Sequence, residues 1–338
     1  MKELLKELCL AFSPAGEENE VKYIIIKNLD DKKNEWHTDK LGNLVVKHKG
    51  EKQKENVGFF SFMHEAGLMT QLITADGFVK FVPVSCQKEN LPEKSFYCKN
   101  RDLYAVVSGR TWHTSTKEER NSQPGADKLV LDFGAKNKED ALKHIRPSDQ
   151  FVYEANFKEN YDGSFSCKAM ERSASSIALI NALNSDIEKE FFCIFVSGIK
   201  SAAGVLKVPA ASNKLSYGIV LEAMGAGDNP FSPAGEKTCS MKKGFNIAFG
   251  ENRAMYNKDL VSFIIDKAEE KGIAHQVRTK ARDISFPTNV MSAGDGVKTA
   301  LLGLPIEYPN SPSTTVFPQD IASCEAMVKI IAEEVNSL

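Results

Sequence analysis

Residues 59–69 read FFSFMHEAGLM. Phe59, Phe60, Phe62 and Met63 surround a single small polar residue, Ser61. That is the pattern of a short strand buried on both faces. The run then stops on His64-Glu65-Ala66-Gly67. In open α/β sheets ligands collect beyond the carboxyl ends of the strands, so His64 and Glu65 are the first candidate site residues.

Upstream, Leu4, Leu5, Leu8 and Phe12 recur at helical spacing. SPAGEENEVKYIIIKNL (13–29) reads as a loop and a second helix that Ser13 or Gly16 could start. WHTDKLGNLVVKHKG (36–50) reads as two strands around a turn at Gly42-Asn43. Downstream the texture changes. Short β-like runs (QLIT, GFVKFVPV, LYAVVSG, KLVLDFGA, DQFVYEANF) fill residues 70 to 165, with one helix at 138–145. From 167 the pattern is α/β: a helix over 172–186, strands over 190–198, 217–225 and 245–251, and a helix over 258–272. A strand AHQVRTK, a helix GVKTALLG (296–303) and a closing helix from Gln319 follow. Strands alternating with helices imply a mostly parallel sheet covered on both faces.

The chain has 338 residues, net charge −2 and a pI near 6.4. No basic stripe marks it as a nucleic-acid binder. KHKGEKQKEN (47–56) mixes its lysines with Glu51 and Glu55 and reads as a solvated loop. Seven cysteines with no C-x-x-C spacing argue against a disulfide framework or zinc knuckle and point to a reducing cytoplasm. Cys167, Cys193 and Cys324 lie in apolar contexts that suit the core. The amphipathic N-terminus lacks the apolar stretch of a signal peptide, and no window is apolar enough to span a membrane.

Several blocks occur together and in order: LLKELCLAFSPAGEENEV, DKLGNLVVKHKG, KLVLDFGAKNKEDALKHIRPSDQF, CKAMERSASSIALINAL, AGDNP and GLPIEYPNSP. On these the chain resembles the glutamyl or deblocking aminopeptidases, a family of co-catalytic metallopeptidases that form tetrahedral particles. The resemblance covers residues 2 to 338. It implies a three-layer α/β aminopeptidase-type domain over 1–69 and 166–338, with a small β-rich dimerisation domain inserted at 70–165. It also implies homo-oligomers, dimers through the insert and a larger particle. The reaction implied is removal of a peptide's N-terminal residue by two zinc or cobalt ions and a glutamate base.

The motifs that carry those ligands are altered here. The first histidine falls on Phe62, and the aspartate that would orient it on His64. The bridging aspartate of a Lys-Ala-Leu-Asp motif falls on Glu171 in KAME. The base falls on Ser197 and the ligand after it on Gly198. The third carboxylate falls on Glu222, and the second histidine on Asn310 in YPNSP. Only Glu171 and Glu222 retain an ionisable ligand. Register does not change this: no Asp or Glu lies between Glu190 and Glu222, and no His follows His275. Two metals with open catalytic positions need more donors than these.

The leading expectation is therefore a pseudoenzyme with no catalytic residue and no resident metal. It would bind a peptide in the old cleft (His64, Glu65, Glu171, Glu222, Asn310) or assemble with an active paralogue. The alternative is an active hydrolase with a rebuilt site, one divalent cation on Glu171, Glu222 and His64. A third class, a structural subunit, requires the Phe62 ring to plug the cleft. The bland readings are a partly buried His64 bonded to Glu65 or to backbone, and Glu171 and Glu222 neutralised by Arg172 or Lys200. Ser197 has no G-x-S-x-G elbow around it, Asp228 reads as a turn residue, and GAGDNP lacks phosphate-loop spacing.

Overall fold

The computed structural model describes residues 1–338 except 87–90, 110–114, 118–124, 199–202, 229–237, 253 and 279–285. Two helices, α1 (Lys2–Leu10) and α2 (Asn19–Lys27), precede strands β1 (Asn34–Thr38), β2 (Leu44–His48) and β3 (Asn56–Phe62). Helix α2 begins later than Ser13 or Gly16. Glu18 stands at its N-cap and turns its carboxylate away from the helix, toward Ser197.

Six strands then close a barrel: β4 (Gly67–Ile73), β5 (Val79–Val84), β6 (Ser95–Cys98), β7 (Leu103–Ser108), β8 (Val130–Asp132) and β9 (Gln150–Tyr153). Helix α3 (Lys138–His144) lies between β8 and β9 and is capped by Asn137, whose side chain accepts from the Asp140 N–H. Closure removes exposed strand edges. The barrel has its own core, built from Leu68, Val79, Phe96, Val107, Leu131, Phe151 and Tyr153. Gly67 admits the chain to the barrel. A Cβ there would lie 2.5 Å from the Phe151 carbonyl oxygen.

The remaining chain supplies β10 (Lys158–Glu159), β11 (Phe165–Cys167), α4 (Met170–Leu183), β12 (Phe191–Val196), α5 (Ala203–Ser212) and β13 (Leu215–Gly225). Strands β14 (Phe245–Ile247), β15 (Gly250–Glu251) and β16 (Ala254–Met255) precede α6 (Lys258–Glu270), β17 (His275–Val277) and α7 (Phe286–Met291). Strands β18 (Lys298–Ile306) and β19 (Thr314–Val316) and helix α8 (Pro318–Glu334) close the fold. The main sheet has the order β1-β2-β12-β3-β13-β18-β14-β17. Its centre, β12-β3-β13-β18, is parallel, whereas β1-β2, β2-β12 and β18-β14 are antiparallel. The sheet is thus more mixed than the alternation of elements implies. Helices α1, α4 and α8 pack together on the sheet, and α5 packs with α7 as a separate layer against β13.

One element reverses its expected type. GVKTALLG contains good helix formers, yet Lys298–Ile306 is a strand, paired with β13 from Tyr217↔Lys298 to Gly225↔Ile306. All of it beyond Lys298 is buried. A short, wholly apolar run has the same pattern in a buried helix and a buried strand, and position in the sheet decides. The tail of AHQVRTK beyond Arg278 lies outside the described residues.

Candidate functional site

The carboxyl ends of β3 and β13, the first turn of α4 and the segment between β18 and β19 meet at one cleft. Phe62, His64, Glu65, Glu171, Glu222 and Asn310 all line it, with Ser85, Arg172 and Ser175. The sequence-derived positions therefore converge, apart from Ser197 and Gly198, which are not among the lining residues. The cleft is narrow. Its cavity volume is about 20 Å³, room for about one water molecule.

Phe62 ends β3 and is 4% exposed. Its ring meets Phe286 edge-on at 5.2 Å and His64 at 5.8 Å between centroids. Where the family pattern implies an imidazole, the wall is hydrocarbon with no lone pair to offer. His64 is buried beside it.

Glu65 is engaged elsewhere. Its Oε2 lies 2.9 Å from the Lys168 Nζ, and its Oε1 accepts from the Ser13 N–H at 2.9 Å. The Arg172 guanidinium is 3.9 Å away. Glu65 and Lys168 are both about 95% buried or more, so this is an interior ion pair tying the end of β3 to the start of α4. Arg172 donates to the Leu8 and Ala11 carbonyls and to the Ser173 hydroxyl. It anchors α1 and makes no bond with Glu171 or Glu222 among those described; Lys200 lies outside the described residues.

Glu171 sits in the first turn of α4, where the helix dipole favours an anion. Its Oε1 accepts from the Asn310 N–H and from the Thr314 hydroxyl, the latter at 3.1 Å. Glu222 is buried in β13, opposite Gly303 of β18.

Ser197 directs its hydroxyl to Glu18, 2.7 Å from Oε2, while the Gly198 and Gly16 N–H groups donate to Glu18 Oε1 at 2.7 and 3.0 Å. A buried carboxylate satisfied by three donors fixes this turn, and the Ser197 hydroxyl is one of them. Glu18 and Lys168 are the residues that sequence reasoning passed over. Glu18 was hidden in the acidic run Glu17–Glu20, which reads as an ordinary first helical turn. Lys168 lies three residues before Glu171 in the same motif, a closeness that could have flagged it. Asp228 accepts from the Met241 N–H at 2.6 Å, a contact across thirteen residues and not a local turn bond; Asn229 and Pro230 of AGDNP lie outside the described residues.

Cys86, next to Ser85 at the cleft edge, has its pKa pushed up to about 12 by burial. It is a thiol at neutral pH and a poor nucleophile. Cys167, Cys193 and Cys324 are buried in the core.

The two ions implied by the resemblance do not fit these residues. Among the described residues no three His, Cys, Asp or Glu side chains come together in a metal-holding group. Zinc centres of the catalytic type take three protein ligands per ion from imidazole, thiolate or carboxylate, and the cleft wall offers one imidazole, His64, the carboxylates of Glu171 and Glu222, a third carboxylate, Glu65, already paired with Lys168, a carboxamide and a phenyl ring.

A family model described as M42 glutamyl aminopeptidase matches residues 42–327. The lysyl aminopeptidase of Pyrococcus furiosus is 25% identical over 350 aligned residues, covering 99% of this chain and 98% of that protein. An aminopeptidase from Desulfurococcus kamchatkensis superposes with a TM-score of 0.90 at 21% identity, covering 98% and 94% of the two chains. The TET1 peptidase of Pyrococcus horikoshii, which can assemble into a tetrahedron or a large octahedral shell, superposes with a TM-score of 0.85 at 24% identity, covering 98% and 99%. Among the described residues no helix is long and apolar enough to cross a membrane.

Proposed function

Because the chain belongs to the M42 glutamyl aminopeptidase family, we propose that it keeps that architecture while its cleft has left peptide hydrolysis. It acts as a non-catalytic assembly or binding subunit, without a resident metal. The observation that carries this is the donor set: the cleft gathers Phe62, His64, Glu171, Glu222 and Asn310, and no group of three metal-competent side chains forms among the described residues. The narrow void, with Phe62 in its wall, supports an assembly role over a peptide-binding one.

The α/β domain comprises residues up to about 66 and again from about 155, and the inserted barrel Gly67–Tyr153; the expected junctions at 69/70 and 165/166 cut through β4 and leave in the insert Phe157 and Phe165, which pack on the α/β core. The barrel serves self-association. Leu72, Val82, Tyr104 and Val106 stand 39–56% exposed on it, the kind of apolar surface that subunit contacts cover. Shells formed by the TET1 peptidase support a higher homo-oligomer; co-assembly with an active paralogue and a place in the cytoplasm are part of the same proposal.

The test is release of the N-terminal residue from a panel of aminoacyl and peptide substrates, with zinc, cobalt or manganese added. The proposal predicts no turnover above the metal-only control. Turnover abolished by E171Q or E222Q would replace it with the rebuilt single-cation site on Glu171, Glu222 and His64.

A further inference from the structure

The segment between β18 and β19, YPNSPST (308–314), forms the lip of the cleft and holds strained backbone. Tyr308 and Asn310 both lie in the left-handed region, with φ of 53° and 55°. Asn visits this region readily, whereas a tyrosine adopts it only when its surroundings impose it. Tyr308 also precedes Pro309, whose ring favours extended conformations in the residue before it. The ends of the lip are closed by Glu307 and Thr315, which exchange two backbone hydrogen bonds of 3.0 Å.

What imposes the conformation is visible at its centre. The Asn310 N–H donates to Glu171 Oε1. The fully buried Thr314 hydroxyl lies 3.1 Å from the same oxygen and 2.9 Å from the Tyr308 carbonyl oxygen. One carboxylate oxygen, fixed on the first turn of α4, thus holds Asn310 directly, and the single Thr314 hydroxyl proton is shared between that oxygen and the Tyr308 carbonyl oxygen.

We infer that Glu171 is a positioning residue for the cleft lip, its carboxylate holding the Tyr308–Asn310 turn where the family pattern would place a metal bridge. This deepens the functional reading above by naming what that carboxylate does instead. A cation on Glu171 would share this carboxylate with the Asn310 and Thr314 donors. Hydrogen bonding and metal bridging differ in what they require. A glutamine carbonyl accepts the same two hydrogen bonds, whereas a metal bridge needs the negative charge.

The experiment is hydrogen exchange by mass spectrometry on the full chain, following a peptide that spans 303–316, for wild type, E171Q, E171A and T314V. The lip inference predicts E171Q within about threefold of wild type. It predicts exchange at least about tenfold faster in E171A, the ratio that 1.4 kcal/mol of opening free energy sets, with T314V in between. Equal acceleration in E171Q and E171A, or none in E171A, would overturn it. Should E171A fail to fold, the contrast between E171Q and T314V decides the matter: a T314V rate no faster than E171Q would overturn the inference. Zinc-dependent turnover by the wild type would remove the functional reading alone, since the glutamine–alanine contrast is read without metal.

Discussion

Replacing Lys168 with methionine isolates the interior ion pair beneath the cleft. Methionine keeps most of the apolar stem, so the change removes mainly the charge and its hydrogen bonds to Glu65, at 2.9 and 3.1 Å. Glu65 is 3% exposed and cannot turn to water. Breaking a buried pair by removing one partner costs about 3–5 kcal/mol. Arg172 remains at 3.9 Å and Ser13 still donates, which places K168M at the lower end, about 3 kcal/mol. At about 2.1 cal/mol/K per residue, a chain of 338 residues has an unfolding entropy of about 0.7 kcal/mol/K. The expected fall in Tm is therefore about 4 °C. Differential scanning calorimetry of wild type, K168M, E65Q and the double variant gives the coupling directly. The double variant should be less destabilised than the two single changes added together, because no uncompensated charge stays inside. A K168M shift under about 1 °C, or additive single changes, would refute the reasoning.

Asp320 and Phe62 give two further tests. Burial pushes the Asp320 carboxyl up to about 6 against backbone N–H groups of Lys242 and Gly244 that favour its ionised form. The folded state then holds this proton to higher pH than the unfolded state does, so its contribution falls as pH rises from about 4 to about 6 and is flat above, by at most about 3 kcal/mol. The Tm of D320N, measured against wild type across that range, should gain up to about 4 °C; a difference independent of pH would contradict the assignment. Truncating Phe62 to alanine removes a ring packed on Phe286 and should cost about 3–5 kcal/mol, seen as a Tm lower by about 4–7 °C; an unchanged Tm would mean that the ring does not plug the cleft.

Legibility in the sequence followed the range of the interactions. The apolar texture of 56–63 and 190–198 and the change of pattern after Gly67 were enough to place strands β3 and β12 and the β-rich stretch of the barrel. The helix starting at Lys258 was equally plain, with Asn257 at its cap. Lys298–Ile306 was not legible as a strand, because Ala300, Leu301 and Leu302 favour a helix locally and only burial between β13 and β14 overrides that. At the cleft, the motif order brought six positions to one place, since each stands at a strand end, a helix start or a connecting segment. The pairings were another matter. His64 adjoins Glu65 in sequence, but Glu65 pairs with Lys168 across the fold. Glu18 meets Ser197 and Gly198, 179 and 180 residues away. Such contacts leave no local trace in composition or spacing, and only the folded topology creates them.

The central claim is that this cleft lacks the donors for a metal pair, and metal stoichiometry tests it most directly. Purified protein would be equilibrated with excess zinc or cobalt, desalted, and analysed for metal per chain. The account predicts well under one equivalent, unchanged in E171Q. About two equivalents of metal per chain, the content of a two-metal site, lost on substitution of Glu171 or Glu222, would contradict it.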